Sequence, residues 1–270
     1  MLNISRKFRF LYRQCVAVLV VPFLPFCIST RAQTWPPAPL PEAPKPQPPV
    51  TLKEMPLNIL KDQGAIWSSP VRIRDKDLRY LVPLGLGVTL AIATDHQAMT
   101  EVVSQNPSFN NTATNASNVL VAPFVAAPVV MYAAGHFGDN DHARETGILS
   151  GEALLDAAVV EQGMKLIFWR ERPGVDDSKG KFFQTDVGWD SSFPSNHSML
   201  AWSSAAVLAD EYPGRWKALG IYGAATGVSL ARVLGQQHFP SDVLVGSAFG
   251  WMIGHYVYKK HHRWHNPMSR

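Results

Sequence analysis

Apolar, alanine-rich stretches recur along the chain at 79–94, 118–135, 147–169, 198–211, 216–234 and 241–258. Few segments alternate with period two, so the pattern predicts helices from about residue 51 onward and at most minor strands. Two polar stretches interrupt it: 104–118, "SQNPSFNNTATNASN", and 138–147, "GDNDHARETG", both predicted as loops. A membrane span needs about 20 apolar residues. The run Leu81–Thr94 is shorter than that, and 147–169 carries Glu152, Asp156 and Glu161, so only 118–135 and 241–258 approach the length. With a mean hydropathy of −0.04, the pattern favours a soluble helical bundle over an integral membrane protein. Gly246, Gly250 and Gly254 recur every four residues in the last stretch, a spacing that permits close helix contact in either solvent.

The first 32 residues read differently. Arg6, Lys7, Arg9 and Arg13 precede the apolar "CVAVLVVPFLPFCI", and small residues Thr30 and Ala32 follow. This is the pattern of a signal peptide, with retention as an N-terminal anchor the alternative. Residues 33–50 contain "TWPPAPLPEAPKPQPPV", a proline-rich, extended linker. The helical domain then covers 51–258, with its motif-bearing core at 145–258, and 259–270 reads as a basic, solvated tail. An exported, periplasmic protein with some attachment to the membrane surface is expected.

Charge follows from the leader. Of the 25 Lys and Arg residues, five (Arg6, Lys7, Arg9, Arg13, Arg31) lie in 1–32, where there is no acid; 20 remain against 21 acidic residues. The basicity of the whole chain is therefore a targeting signal and argues for no nucleic-acid partner. Both cysteines, Cys15 and Cys27, also lie in the leader, so a processed chain has no thiolate metal site and no disulfide.

Three short stretches carry the chemistry: "KLIFWRERP" with Lys165 and Arg172, "PSNH" from Pro194 to His197, and "ARVLGQQHFPSD" with Arg232, His238 and Asp242. Lys165 and Arg172 are seven residues apart, a spacing that shares a helix face. Ser195, Asn196 and His197 sit where a helix would begin, and a helix start offers unpaired N–H groups to an anion. Phe239 precedes Pro240 and so avoids the α region, which leaves His238 on a loop. Each element alone has an ordinary explanation, including Ser241 as an N-cap. Together they supply three cations, a helix N-terminus and two imidazoles, which is what stabilisation of a transferring phosphoryl group requires.

At these residues the sequence resembles the type 2 phosphatidic acid phosphatase and vanadium haloperoxidase superfamily, which includes bacterial class A acid phosphatases. The resemblance covers about 145–258. It implies an all-α bundle and a metal-free, cofactor-free phosphohistidine mechanism. In it His238 is the nucleophile, Asp242 its orienting acid and His197 the general acid and base. Lys165, Arg172, Ser195, Asn196 and Arg232 bind the phosphate. Asn196 replaces the usual glycine and Ala231 the usual serine before the arginine, with Ser229 two residues away. The expected substrate is a phosphate monoester, either a soluble ester or a lipid phosphate or pyrophosphate at the membrane surface, with the soluble class favoured by the hydropathy. The alternatives are vanadate-dependent haloperoxidation and a phosphate-binding scaffold without turnover. His136 and His142 receive no role.

Overall fold

The structure, a computed structural model, describes residues 50–263. The leader with both cysteines, the linker up to 49 and residues 264–270 of the tail lie outside the described residues. Seven α-helices are present among the described residues, and no strand: α1 Met55–Trp67, α2 Asp75–Gln97, α3 Pro107–Phe137, α4 Asp141–Phe168, α5 Asn196–Glu211, α6 Arg215–Leu234 and α7 Pro240–His261. The expected all-α bundle is what they form.

Helix boundaries follow local chemistry, and both predicted polar loops shrink because of it. Asn106 accepts a hydrogen bond from Ser108 N at 2.9 Å and Pro107 takes the first helical position, so α3 begins eleven residues before the apolar run. Asn140 accepts from Ala143 N at 3.0 Å and starts α4 within the second polar stretch. Asn106 and Asn140 serve there as helix caps and Asn118 makes a tertiary contact to His197, roles a hydropathy pattern cannot register. At the other end of α4, Trp169 takes a left-handed conformation (φ 36°) and turns the chain into the long connection to α5. α7 continues through Lys259–His261, so the start of the basic tail is helix, and His261 is buried.

α4, α5 and α7 share the main core, in which Leu149, Ala153, Ala157, Met199, Val207 and Val257 are completely excluded from solvent. The α5–α7 pair is the tightest. A Cβ on Gly246, Gly250 or Gly254 would lie closer than 3.0 Å to the carbonyl oxygens of Ser195, Met199 and Ser203 respectively. The glycine spacing thus holds the start of α5 against the start of α7. α3 and α6 cover a second core of Phe124, Ala201, Ala205, Ala225 and Val228.

The outer helices depart from the soluble expectation. α2 is a continuous 23-residue helix that, with the turn Ala98–Val102, is long and apolar enough to cross a membrane, as is α3. Leu86 on α2 is 68% exposed and Val129 on α3 is 72% exposed. The run 241–258 instead lies in the packed interior with α5. Hydropathy counts apolar residues but does not say whether a neighbouring helix or the surroundings will cover them.

Candidate active site

The site forms where the end of α4, the start of α5, the end of α6 and the start of α7 meet. His238 is 1% exposed, and its Nδ1 lies 2.8 Å from the carbonyl oxygen of Ser192. A carbonyl can only accept, so Nδ1 carries the hydrogen and Nε2 keeps its lone pair. Asp242, expected to orient this ring, stands 3.6 Å from Nδ1 and is committed elsewhere. Its Oδ2 accepts from Phe239 N at 2.9 Å and from the Ser192 hydroxyl, and its Oδ1 from Arg170 at 2.6 Å. The orienting group is a backbone carbonyl from the α4–α5 connection. Asp242 acts at one remove, by fixing Ser192 and the turn into α7.

Arg170, absent from the expected set, is the centre of this support. It is 1% exposed and donates to Asp242 Oδ1 (2.6 Å), Ser241 Oγ (2.6 Å), Asp95 Oδ2 (2.7 Å) and Gly180 O (3.2 Å). Its guanidinium also lies over the rings of Phe239 and Phe182, at 4.1 and 4.6 Å from the centroids. Asp95 binds Ser241 N at 3.1 Å, so one arginine joins α2, the connection and α7. Ser191 Oγ accepts from Arg170 N at 2.9 Å and completes the anchorage. The signal was present in "KLIFWRERP", where Arg170 lies two residues before Arg172, but nothing in the string says which arginine turns inward.

Around His238 stand the expected cations. Lys165 is buried and pairs with Glu161 at 3.0 Å. Arg172 binds Asp190 Oδ1 at 2.9 Å and the carbonyl of Gln237, next to His238, at 3.0 Å. Arg232 is 6% exposed; it donates to Ser117 Oγ at 3.2 Å, and its Nε is buried without a hydrogen-bond partner. Burial, and then the charge of Arg172, lower its pKa to about 10.

Ser195 is the N-cap of α5 and is fully buried, with its hydroxyl accepting from Ser198 Oγ at 3.2 Å. The first intrahelical bond of this turn is Met199 N to Ser195 O, so the N–H groups of Asn196 and His197 precede it, as an anion site requires. His197 Nε2 meets Asn118 Oδ1 at 2.9 Å. Asn118 and Ser117 are therefore two further site residues, supplied by the stretch expected to be a loop. Ser229, beside Ala231, is occupied by Trp202 and Ser247 at 3.2 and 3.1 Å and does not replace the missing hydroxyl.

Both imidazoles are held far below the ordinary histidine value. His197 is lowered to about 4 by burial first and then by Arg232, His238, Arg172 and Lys165. His238 is also lowered to about 4, by burial, against the opposing pull of Asp242 and with help from Arg172 and Arg232. Burial, with nearby positive charge added to it, thus keeps both histidines neutral.

A family model, PAP2 superfamily, matches residues 147–266. This segment is similar to the PAP2 superfamily. The matched segment contains all three motif stretches and α5, α6 and α7 entire. The chain is also similar to the lipid A 1-phosphatase of Porphyromonas gingivalis, with 33% identity over 69 residues. That match covers 25% of this chain and 16% of the relative's length. A similar solved structure is the first transmembrane PAP2 type phosphatidylglycerolphosphate phosphatase from Bacillus subtilis, at 19% identity and a TM-score of 0.44, covering 77% of this chain and 94% of that one.

Proposed function

We propose that this protein is a membrane-associated phosphatase of lipid phosphate monoesters that works through a phosphohistidine at His238. The observation that carries the reading is the buried cationic pocket: Arg232 Nε without a partner beside a neutral histidine whose Nε2 lone pair is free. In the first half-reaction His238 Nε2 attacks phosphorus, the bond to the ester oxygen breaks, and His197 gives its proton to that oxygen. A bound phosphate dianion opposes the cations that depress His197, so the substrate itself raises the protonated fraction of the acid. In the second half, water attacks phosphorus, its proton passes to His197, and the P–N electrons return to His238. Nδ1–H stays on the Ser192 carbonyl throughout and stabilises the imidazolium character of the intermediate. Lys165, Arg172, Arg232, Ser195 and the N–H groups of Asn196 and His197 hold the phosphoryl oxygens. Side-chain cations supply the charge, so vanadate should compete for the pocket as a transition-state mimic.

The lipid class is favoured over the soluble ester by what surrounds the pocket. An apolar cleft of about 290 Å³ is lined by residues including Leu81, Val88, Met164, Phe193 and Phe249, of which Met164 is next to Lys165 in the chain and Phe193 two residues before Ser195. The exposed apolar faces of α2 and α3 would seat the same region in a bilayer, and the Porphyromonas gingivalis relative is by its name a lipid phosphatase. The test is phosphate release by the full chain from a lipid phosphate monoester in vesicles and from nitrophenyl phosphate, with acid-quench trapping of the phosphoenzyme. Higher kcat/KM on the lipid, and a trapped, acid-labile phosphoenzyme absent from His238→Ala, are expected. Preference for the soluble ester would sink the lipid assignment, and no phosphate release from either would sink the phosphatase.

A further inference from the structure

The other end of α7 carries a second polar cluster that the phosphatase chemistry does not use. Pro240 and His261 are separated by 21 residues of helix, roughly 30 Å at the α-helical rise. There His261 Nε2 lies 2.7 Å from Asp62 Oδ2 on α1 and 3.8 Å from Glu152 Oε1 on α4. One donor atom from each of the three residues falls within 4.8 Å of the others. Asp62 and Glu152 are completely buried and His261 is 7% exposed.

Asp62 is well supplied: its Oδ1 accepts from Lys260 Nζ at 2.6 Å and from Tyr256 OH at 3.1 Å. Glu152 is not. Both of its oxygens are buried without a hydrogen-bond partner, although the Asn58 amide lies against it. Next to it Asp156 accepts from Gln63 Nε2 at 2.8 Å through Oδ1, while its Oδ2 is buried and unpaired. Lys260, the lysine that reaches this cluster, is spent on Asp62. A divalent ion held by Asp62, Glu152 and His261 would supply the positive partner that Glu152 lacks. An interior charge with no compensating partner costs several kcal/mol, so a carboxylate aimed at two other donors without a partner of its own points to a missing cation.

We infer that Asp62, Glu152 and His261 bind one divalent transition-metal ion, Zn²⁺ foremost, which clips α1 to α4 and α7. The donor set of one imidazole nitrogen and carboxylate oxygens suits Zn²⁺ or Mn²⁺; Mg²⁺ and Ca²⁺ prefer all-oxygen sites. Asp156 and Lys260 stand as the outer charges that orient and balance the ligands. Lys260 is exposed and lies at the end of α7. At its distance from His238 the ion takes no part in phosphoryl transfer and is a structural clip.

The test loads the full-length protein, purified in detergent without chelator, with Zn²⁺ or Mn²⁺, removes free ion by gel filtration and measures retained metal by mass spectrometry. About one equivalent of Zn²⁺ is expected, falling at least tenfold in Glu152→Gln and in His261→Gln, with a metal-dependent rise in melting temperature confined to the parent. Glu152→Gln also removes the uncompensated charge, so without metal it should melt at or above the metal-free parent. Less than a tenth of an equivalent of either ion in the parent, or equal retention by both variants, would overturn the site. So would a metal-free Glu152→Gln melting below the parent, because the carboxylate would then already be satisfied.

Discussion

Arg170 and Arg232 are both buried guanidiniums in one site, and their surroundings are opposite. Arg170 spends its donors on Asp95, Asp242, Ser241 and Gly180 and is sandwiched by Phe182 and Phe239. Arg232 meets a serine hydroxyl and keeps a buried Nε unpaired. The first region is a closed ion network that fixes the backbone around His238. The second is an open one, which on the proposed reading an anion would complete. Burial of a charge therefore has two meanings in one domain, and the partners of each guanidinium separate them.

Swapping each arginine for methionine should break the comparison cleanly if it is wrong. Arg170→Met leaves Asp95 and Asp242 buried without their cation, and removal of one partner from a buried pair costs about 3–5 kcal/mol. Its denaturation midpoint should fall accordingly, with activity lost alongside. Arg232→Met removes a charge that no carboxylate balances, so stability should hold or rise while kcat/KM falls about 10²–10³-fold. Equal stability losses in the two variants would erase the distinction between support and pocket.

The leaving-group dependence of His197→Ala sharpens the open region further. Loss of a positioned general acid should cost about 10²–10⁴-fold on an unactivated ester and much less on nitrophenyl phosphate. A loss of the same size on both esters would place His197 outside proton transfer.

Acid titration reads the burial and the positive charge around the two histidines together. Both histidines are lowered to about 4, so in the free protein His238 stays neutral until pH falls near that value. The acid limb of kcat/KM should lie near pH 4, well below the ordinary histidine range. In Arg232→Met the limb should move up, because one cation that disfavours the imidazolium is gone. The same linkage makes stability fall as pH drops from the unfolded histidine value of about 6.5 toward 4, since the unfolded chain binds protons the folded one refuses.

The smallest effect belongs to the hydrogen bond from α3. Asn118→Ala removes the contact to His197 at 2.9 Å, and a net hydrogen bond contributes about 0.5–1.5 kcal/mol. A decrease of about tenfold or less in kcat, with a loss of stability of no more than about 1.5 kcal/mol, is the expected result.

By itself the sequence determined the all-α class, from the helical period of its apolar runs, and the three stretches that meet around His238. Their internal spacings are local, set by helix pitch and by the break at Pro240, so they survive as a readable string. It also marked one face of α7 for close helix contact, because glycines at every fourth position leave that face bare, while the structure supplied α5 as the partner. Only the tertiary structure decided that the carbonyl of Ser192 orients His238, since every residue has such a carbonyl and just its placement distinguishes one. Only it turned Arg170 inward to carboxylates 72 and 75 residues away, and brought Asn118 to His197 across 79 residues. The exposure of α2 and α3 and the convergence of Asp62, Glu152 and His261 belong to the same class. What covers a side chain, and which charges face it, depends on elements far apart in the chain, and no local pattern records that arrangement.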